Sequence, residues 1–251
     1  MLLSEKNAIV YGAAGPIGSA VARSFAAAGA TVHLAGRTRS RLEKVADEIR
    51  AAGGTAETAE VDALDESSVD QHAEQVAASA GSIDVSFNLI GHQQQFGTPL
   101  VEQDLATFEL PVHTAVRTFY LTTRAAARQM IKQRSGVVLT FGGYGPPAAN
   151  LGGFQTGFGA VEALRRNFSV ELGQYGIRVL TLQTGGIPEA IPDSFDEQTR
   201  AAITAAAVRE TLLQRAATLD DVGTVAVFAA SDQAKALTGT GINLTVGAVP
   251  D

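Results

Sequence analysis

The chain contains no cysteine, which excludes disulfides and thiolate-held metals and fits a reducing, cytoplasmic setting. It has no unbroken apolar run of about eighteen residues, so no membrane-spanning helix is expected. The segment from Met1 to Asn7 carries Glu5 and Lys6 and runs straight into an apolar stretch, which is not the pattern of a secretory signal. Basic residues are scarce: 19 Lys and Arg against 26 Asp and Glu leave a net charge of -7, with no basic cluster. Nucleic acid needs a Lys/Arg surface against its phosphates, so it is not an expected partner. Nowhere do His, Asp and Glu fall at metal-ligand spacing, and no metal is expected.

What is present is ample apolar material, 45% hydrophobic against 18% charged over 251 residues, enough for a sizeable core. Short apolar runs alternate with amphipathic stretches. Asn7–Tyr11, Thr31–Ala35, Ala59–Val61, Ile83–Leu89, Val137–Phe141, Ile177–Leu182 and Gly241–Val246 read as strands bounded by turn residues. Ile17–Ala28, Arg39–Ala52, Glu66–Ala80, Asp104–Gln133, Phe154–Gln174 and Leu219–Ala230 read as helices. In the second of these, Leu42, Val45, Ala46 and Ile49 fall at helical spacing. Such alternation predicts an α/β, doubly wound Rossmann fold: a seven-stranded parallel sheet with helices on both faces. No linker or repeat divides the chain, so residues 1–251 read as a single domain. The stretch 185–215, with Pro188, Pro192 and an Ala-rich helix between two strands, is the expected substrate lid.

The first strand ends in Tyr11-Gly12-Ala13-Ala14-Gly15-Pro16-Ile17-Gly18 and leads directly into a helix. Glycines at that turn let the backbone approach a pyrophosphate, whose charge the free N–H groups of the helix start attract. This loop resembles the Gly-x-x-x-Gly-x-Gly of the short-chain dehydrogenase/reductase family. Gly12 and Gly18 match its first and third glycines, and Pro16 stands at the second. Proline removes one N–H donor yet suits a first helical turn, and Gly15 keeps the loop pliable. The second strand ends Leu34-Ala35-Gly36-Arg37. Gly36 stands where a carboxylate would bind the ribose of NAD, and the guanidinium of Arg37 suits a 2′-phosphate, so NADP(H) is favoured over NAD. Asp62 matches the family aspartate at the adenine amine, and Asn88-Leu89-Ile90-Gly91 resembles the family's Asn-Asn-Ala-Gly beside the ribose. Ile187, after the sixth strand, takes the position of a further cofactor contact. The resemblance runs through essentially the whole chain and implies an oxidoreductase forming homo-oligomers, dimers or homotetramers, through its long central helix and the helix carrying Phe154.

The family's catalytic group does not follow. Its Ser, Tyr and Lys, with an Asn, polarise the substrate oxygen and move the proton. Taking the register from Ala160–Leu164 and Val170–Leu172, Phe154 falls where Tyr belongs and Phe158 where Lys belongs. Gly143 falls at the serine, and Ala115, within one residue, at the Asn. The four tyrosines are followed four places on by Gly15, Arg124, Ala148 and Val179, and Lys6, Lys44, Lys132 and Lys235 lie far from the helix concerned. Small residues and phenyl rings imply a roomier, apolar pocket made of Ala115, Gly143, Tyr144, Phe154 and Phe158, for a small apolar substrate. The substitute acid–base candidates are His92, beyond Gly91 and followed by Gln93, Gln94 and Gln95, and Tyr144; a loop histidine there titrates near neutral pH. Three readings remain open. The chain is an atypical NADP(H)-dependent oxidoreductase acting on a substrate such as an activated alkene or iminium; or a non-redox isomerase, cyclase, dehydratase or lyase; or a non-catalytic NADP-binding or partner subunit.

Overall fold

A computed structural model of the chain describes residues 1–93, 96–143, 145, 148–192 and 195–250. The strands are β1 (Asn7–Tyr11), β2 (Thr31–Gly36), β3 (Thr55–Glu60), β4 (Val85–Asn88), β5 (Gly136–Gly143), β6 (Ile177–Thr184) and β7 (Gly241–Asn243). All pair in parallel, in the order β3-β2-β1-β4-β5-β6-β7. The helices are α1 (Pro16–Ala27), α2 (Arg39–Ala51), α3 (Glu66–Ala80), α4 (Leu105–Gln133), α5 (Gly153–Leu172), α6 (Glu197–Arg209) and α7 (Leu219–Ala230). This is the doubly wound Rossmann arrangement that the alternation predicts.

Period-two alternation along β1 divides the core. Ala8 and Val10 pack with α1, α2 and α7 residues such as Phe25, Leu42 and Val222; Ile9 and Tyr11 pack on the other face with Val69, Phe119 and Ala126. Strand order reverses between β1 and β4, and the chain leaves these neighbours in opposite directions. A crevice opens at their carboxyl ends, the usual ligand position in such sheets.

Several bounds differ from the sequence reading. β3 begins at Thr55 and ends before Val61, because Thr-Ala-Glu-Thr-Ala-Glu is an edge strand held by pairing to β2 rather than by an apolar run. β4 and β7 are shorter than expected, and β5 and β6 run on to Gly143 and Thr184, which pair with each other. α4 starts on an Asp104 cap that accepts from the Thr107 N–H, and Pro111 is accommodated inside it. α5 approaches α4 closely because Gly153 and Gly157 present no side chain: a Cβ at Gly153 would overlap the Phe108 carbonyl oxygen. Arg124 of α4 reaches α3, pairing with Glu66 at 2.8 Å and Asp70 at 2.9 Å, while Tyr120 beside it is exposed.

Under α3 lies a buried polar seam in which Tyr11 meets the His72 ring edge-on at 5.9 Å and His33 Nδ1 stands 3.3 Å from Glu57. Burial, reinforced by the charge of His33, pushes the His72 pKa down to about 4, and burial also lowers that of His33 against the opposing pull of Glu57. The folded value lies below the unfolded one, so as pH falls the unfolded chain takes up the proton first. Stability held by the neutral ring is therefore complete above about pH 6.5, eroded between there and pH 4, and lost below. The loss assignable to His72 is roughly 3 kcal/mol. Urea unfolding from pH 7 to 4 should trace this fall, and His72→Leu should reduce it; an unchanged pH dependence in the variant would rule His72 out as a source.

Candidate active site

Two cavities meet at the crevice. The first, of about 370 Å³, is lined by Gly12, Ala14 and Gly15, by Gly36, Arg37, Thr38 and Arg41, by Val61–Leu64, by Leu89–Gly91 and Gln93, and by Thr114 and Thr118. The second, of about 300 Å³, is lined by Gly15–Gly18, Asn88–His92, Ala115, Phe119, Thr140, Phe141, Phe154, Phe158, Val161 and Ala190. Gly15, Leu89, Ile90 and Gly91 belong to both, so the two are halves of one cleft.

The glycine-rich turn forms the hinge between them. Gly12 has φ of 78°, and its N–H donates to the Ala35 carbonyl at 2.9 Å, fastening the loop to the end of β2. A Cβ at Gly18 would overlap the Gly12 carbonyl oxygen, so that glycine lets α1 pack against its own entry turn. Gly15 differs: a Cβ there would meet only the Gly12 oxygen, at 3.4 Å, and one at Gly91 would meet nothing within 4 Å. Gly15 caps α1 and Pro16 is its first residue, which leaves the N–H groups of Ile17 and Gly18 without helical partners. The proline thus removes a donor that a helix start leaves unbonded in any case.

At the far end, Gly36 offers no carboxylate, and Arg37, Thr38 and Arg41 line the cavity together. Asp62 sits on the opposite rim, its Oδ1 accepting from the Leu64 N–H at 3.0 Å. Asn88 is buried and committed: its Nδ2 donates to Thr122 at 3.2 Å and its Oδ1 accepts from the Ile90 N–H at 3.1 Å, which holds the chain leading to Gly91. This donor set fits a dinucleotide. There are free N–H groups for a pyrophosphate, guanidiniums for a 2′-phosphate, and a carboxylate and fixed backbone for adenosine.

The second cavity is aromatic. Phe154 and Phe158, four apart on α5, present one face and meet edge-on at 4.6 Å. The His92 ring lies 4.9 Å from Phe158 and 6.1 Å from Phe154, and Phe96 meets Phe154 at 5.3 Å. Burial pushes the His92 pKa down to about 4, so the ring is neutral at pH 7 rather than titrating near neutrality as a free loop histidine would. Its Nδ1 is buried without a partner. A Cβ at Gly142 would meet the Thr181 methyl group at 3.1 Å and Phe158 at 4.0 Å. Throughout its length α5 carries neither tyrosine nor lysine.

The cleft thus brings together Gly12, Gly15, Ile17, Gly18, Arg37, Asp62, Asn88, Gly91, His92, Ala115, Phe154 and Phe158. Ile187 lies apart, buried in the apolar core, and Ala190 lines the cleft in that region. Gly143 ends β5 opposite Thr184, and Tyr144 lies outside the described residues. Sequence reading missed Arg41, one helical turn beyond Arg37. It also missed Thr114, a fully buried threonine whose hydroxyl has no partner, although it adjoins Ala115. Thr140, two residues before Gly142 on the same strand face, was missed as well. The pairing of Arg37 with Arg41 was legible as a four-residue spacing; the position of Thr114 depended on the rotation of α4.

A parallel doubly wound sheet with a cleft at its switch point defines the class: a Rossmann-fold protein. Residues 12–248 match the family model described as enoyl-(acyl carrier protein) reductase. The chain is 32% identical to L-rhamnose 1-dehydrogenase (NAD(P)(+)) of Azotobacter vinelandii, covering 96% of both chains. It is 28% identical to oxidoreductase YxbG of Bacillus subtilis, covering 98% of this chain and 91% of the relative. The structure of a short-chain type dehydrogenase/reductase from Mycobacterium marinum superposes with a TM-score of 0.87 at 28% identity, over 98% of this chain and 96% of that one. The chain belongs to the short-chain dehydrogenase/reductase family, a family of oxidoreductases. Among the described residues no helix is long and apolar enough to cross a membrane.

Proposed function

We propose that the chain is an NADP(H)-dependent oxidoreductase whose substrate half has been rebuilt as an apolar, aromatic pocket without the family's Ser-Tyr-Lys chemistry. The observation that carries this reading is the continuity of the cleft: a phosphate-ready, arginine-lined half opens through Gly15 and Leu89–Gly91 into a half walled by phenyl rings. When bound, the nicotinamide cofactor supplies or accepts hydride. The Gly12–Gly18 turn with the Ile17 and Gly18 N–H groups holds the pyrophosphate. Arg37 and Arg41 take the 2′-phosphate, Asp62 the adenine amine, and the Asn88–Gly91 backbone, with the Thr114 hydroxyl, the ribose. Phe119, Phe141, Phe154 and Phe158 exclude water from the reacting atoms. His92, neutral at working pH, serves as a hydrogen-bond donor to a substrate oxygen rather than as a strong acid. Such a site suits a polarised double bond that needs little acid assistance, such as an activated alkene. Residues 1–251 act as one domain, 185–215 cover the cleft, and the chain works in the cytoplasm as a dimer or tetramer.

Calorimetry with NADPH and NADH tests the nucleotide half. NADPH should bind in the micromolar range and at least about tenfold tighter than NADH, because the 2′-phosphate gains charge-assisted bonds. Arg37→Ala should remove most of that preference while leaving NADH binding unchanged. Failure of both nucleotides to bind would end the oxidoreductase reading. It would favour the second one, a non-redox isomerase or lyase, which the aromatic lining of the cleft also supports.

A further inference from the structure

The aromatic half of the cleft is selective in a way its apolar character alone does not convey. His92, Phe154 and Phe158 are in mutual ring contact, with centroid separations from 4.6 to 6.1 Å, and Phe96 extends the group outward. No carboxylate, ammonium or guanidinium lines this cavity among the described residues. Away from the Ile17 and Gly18 N–H groups at its glycine-loop end, a charged ligand would enter it unpaired, at a large desolvation cost. A sugar, with a hydroxyl on nearly every carbon, would leave most of them without partners. Two polar side chains are available. One is His92, whose Nδ1 is buried and unpartnered, and the other is Thr140, which faces the cavity from β5. Asn88 is already engaged by Thr122 and the Ile90 N–H.

We infer that the pocket takes a planar, neutral, conjugated ring compound of one or two fused rings, bearing one hydroxyl or carbonyl oxygen that hydrogen-bonds to His92. Phenyl rings held edge to face, with a tilted imidazole against them, reward a flat π-face in contact with them, which a saturated skeleton of the same outline does not offer. An apolar cavity of roughly 150 Å³ takes up a benzene ring, so the cavity of about 300 Å³, with no nucleotide at its glycine-loop end, has room for a bicyclic frame. The orphaned imidazole nitrogen supplies one directed polar contact, which fixes the orientation of the ring system. This names a substrate class for the pocket proposed above, and it rests on the pocket's lining rather than on redox chemistry.

The test uses the full-length protein with 2-naphthol and 2-decalol, the aromatic and saturated forms of one skeleton with a hydroxyl at the same position. Calorimetry should give at least roughly tenfold tighter binding of 2-naphthol, the gain expected from one or two additional ring contacts. Phe158→Leu should reduce that preference to about threefold or less. In the histidine C2–H region of the proton NMR spectrum, 2-naphthol should shift the resonance that His92→Phe deletes and leave those of His33 and His72 unmoved. Equal affinity for the two compounds would overturn the inference, as would a preference that survives both Phe154→Leu and Phe158→Leu. Binding of NADPH without binding of 2-naphthol would overturn it too, while leaving the oxidoreductase reading intact. A naphthol preference without nucleotide binding would support the inference and defeat that reading.

Discussion

Gly12→Ala is expected to destabilise the fold by about 3 kcal/mol and to weaken NADPH binding by at least about tenfold. Gly12 has φ of 78°, a left-handed backbone that costs an alanine about 1–2 kcal/mol. Its Cβ would stand 2.5 Å from the Leu89 carbonyl oxygen and 2.8 Å from the Leu89 carbonyl carbon, backbone atoms with no flexible side chain to yield. Relief requires moving the turn away from the end of β4, which loosens the Gly12 N–H bond to Ala35 and displaces the Ile17 and Gly18 N–H groups aimed into the cleft. Gly15→Ala is the informative contrast. Gly15 sits in extended backbone at φ -80° and its Cβ would meet only the Gly12 oxygen, so folding should change by less than about 1 kcal/mol. Nucleotide affinity should still fall, because the methyl group enters the space the pyrophosphate needs. Urea midpoints with parallel NADPH titrations check both. Equal nucleotide affinity in Gly15→Ala and the parent would mean the phosphates lie elsewhere.

Placing Ser, Tyr and Lys at positions 143, 154 and 158 is expected to raise carbonyl reduction over the parent. The variant combines Phe154→Tyr, Phe158→Lys and Gly143→Ser. Positions 154 and 158 lie one turn apart on α5 and line the same cavity, so a phenol and an ammonium would be placed side by side as proton transfer requires. The apolar lining lowers the ammonium pKa, and the ammonium in turn lowers that of the phenol. A positioned acid–base group contributes roughly 100-fold or more, and NADPH oxidation with simple ketones should rise by that factor over the parent. Removing the edge-to-face contact at 4.6 Å costs about 1 kcal/mol, so circular dichroism should confirm folding before rates are compared. A folded variant that binds NADPH yet stays inert would mean that the substrate half has been rebuilt beyond these three positions.

The turns that line the cleft were legible in the sequence because they are contiguous residues at strand ends. Gly12 to Gly18, Gly36-Arg37 and Asn88 to Gly91 each occupy one turn, and a strand-to-helix junction aims such a turn into the crevice wherever the sheet is parallel. Asp62 was expected in the same way and lines the first cavity, although β3 ends at Glu60, earlier than its sequence pattern implied. Ile187 was not placed so well. It follows β6 in sequence, but the short turn at Pro188–Ala190 buries it and brings Ala190 to the cleft instead.

Strand count, parallel order and the two-sided core followed from the sequence alone, because period-two and helical spacing are local properties and a parallel crossover has one workable hand. The same local reading placed Phe154 and Phe158 on one helix face and excluded a Tyr–Lys pair at that spacing anywhere in the chain. Only the tertiary structure decided what those rings face. It brought His92 from the β4 loop against them, left its Nδ1 buried and unpartnered, and drove its pKa down to about 4. It also turned Thr114 and Thr140 into the cleft and joined the two cavities through Gly15. Burial, ring contact and the loss of a hydrogen-bond partner depend on residues far apart in the chain, and these contacts exist only after α4 and α5 have packed onto the sheet.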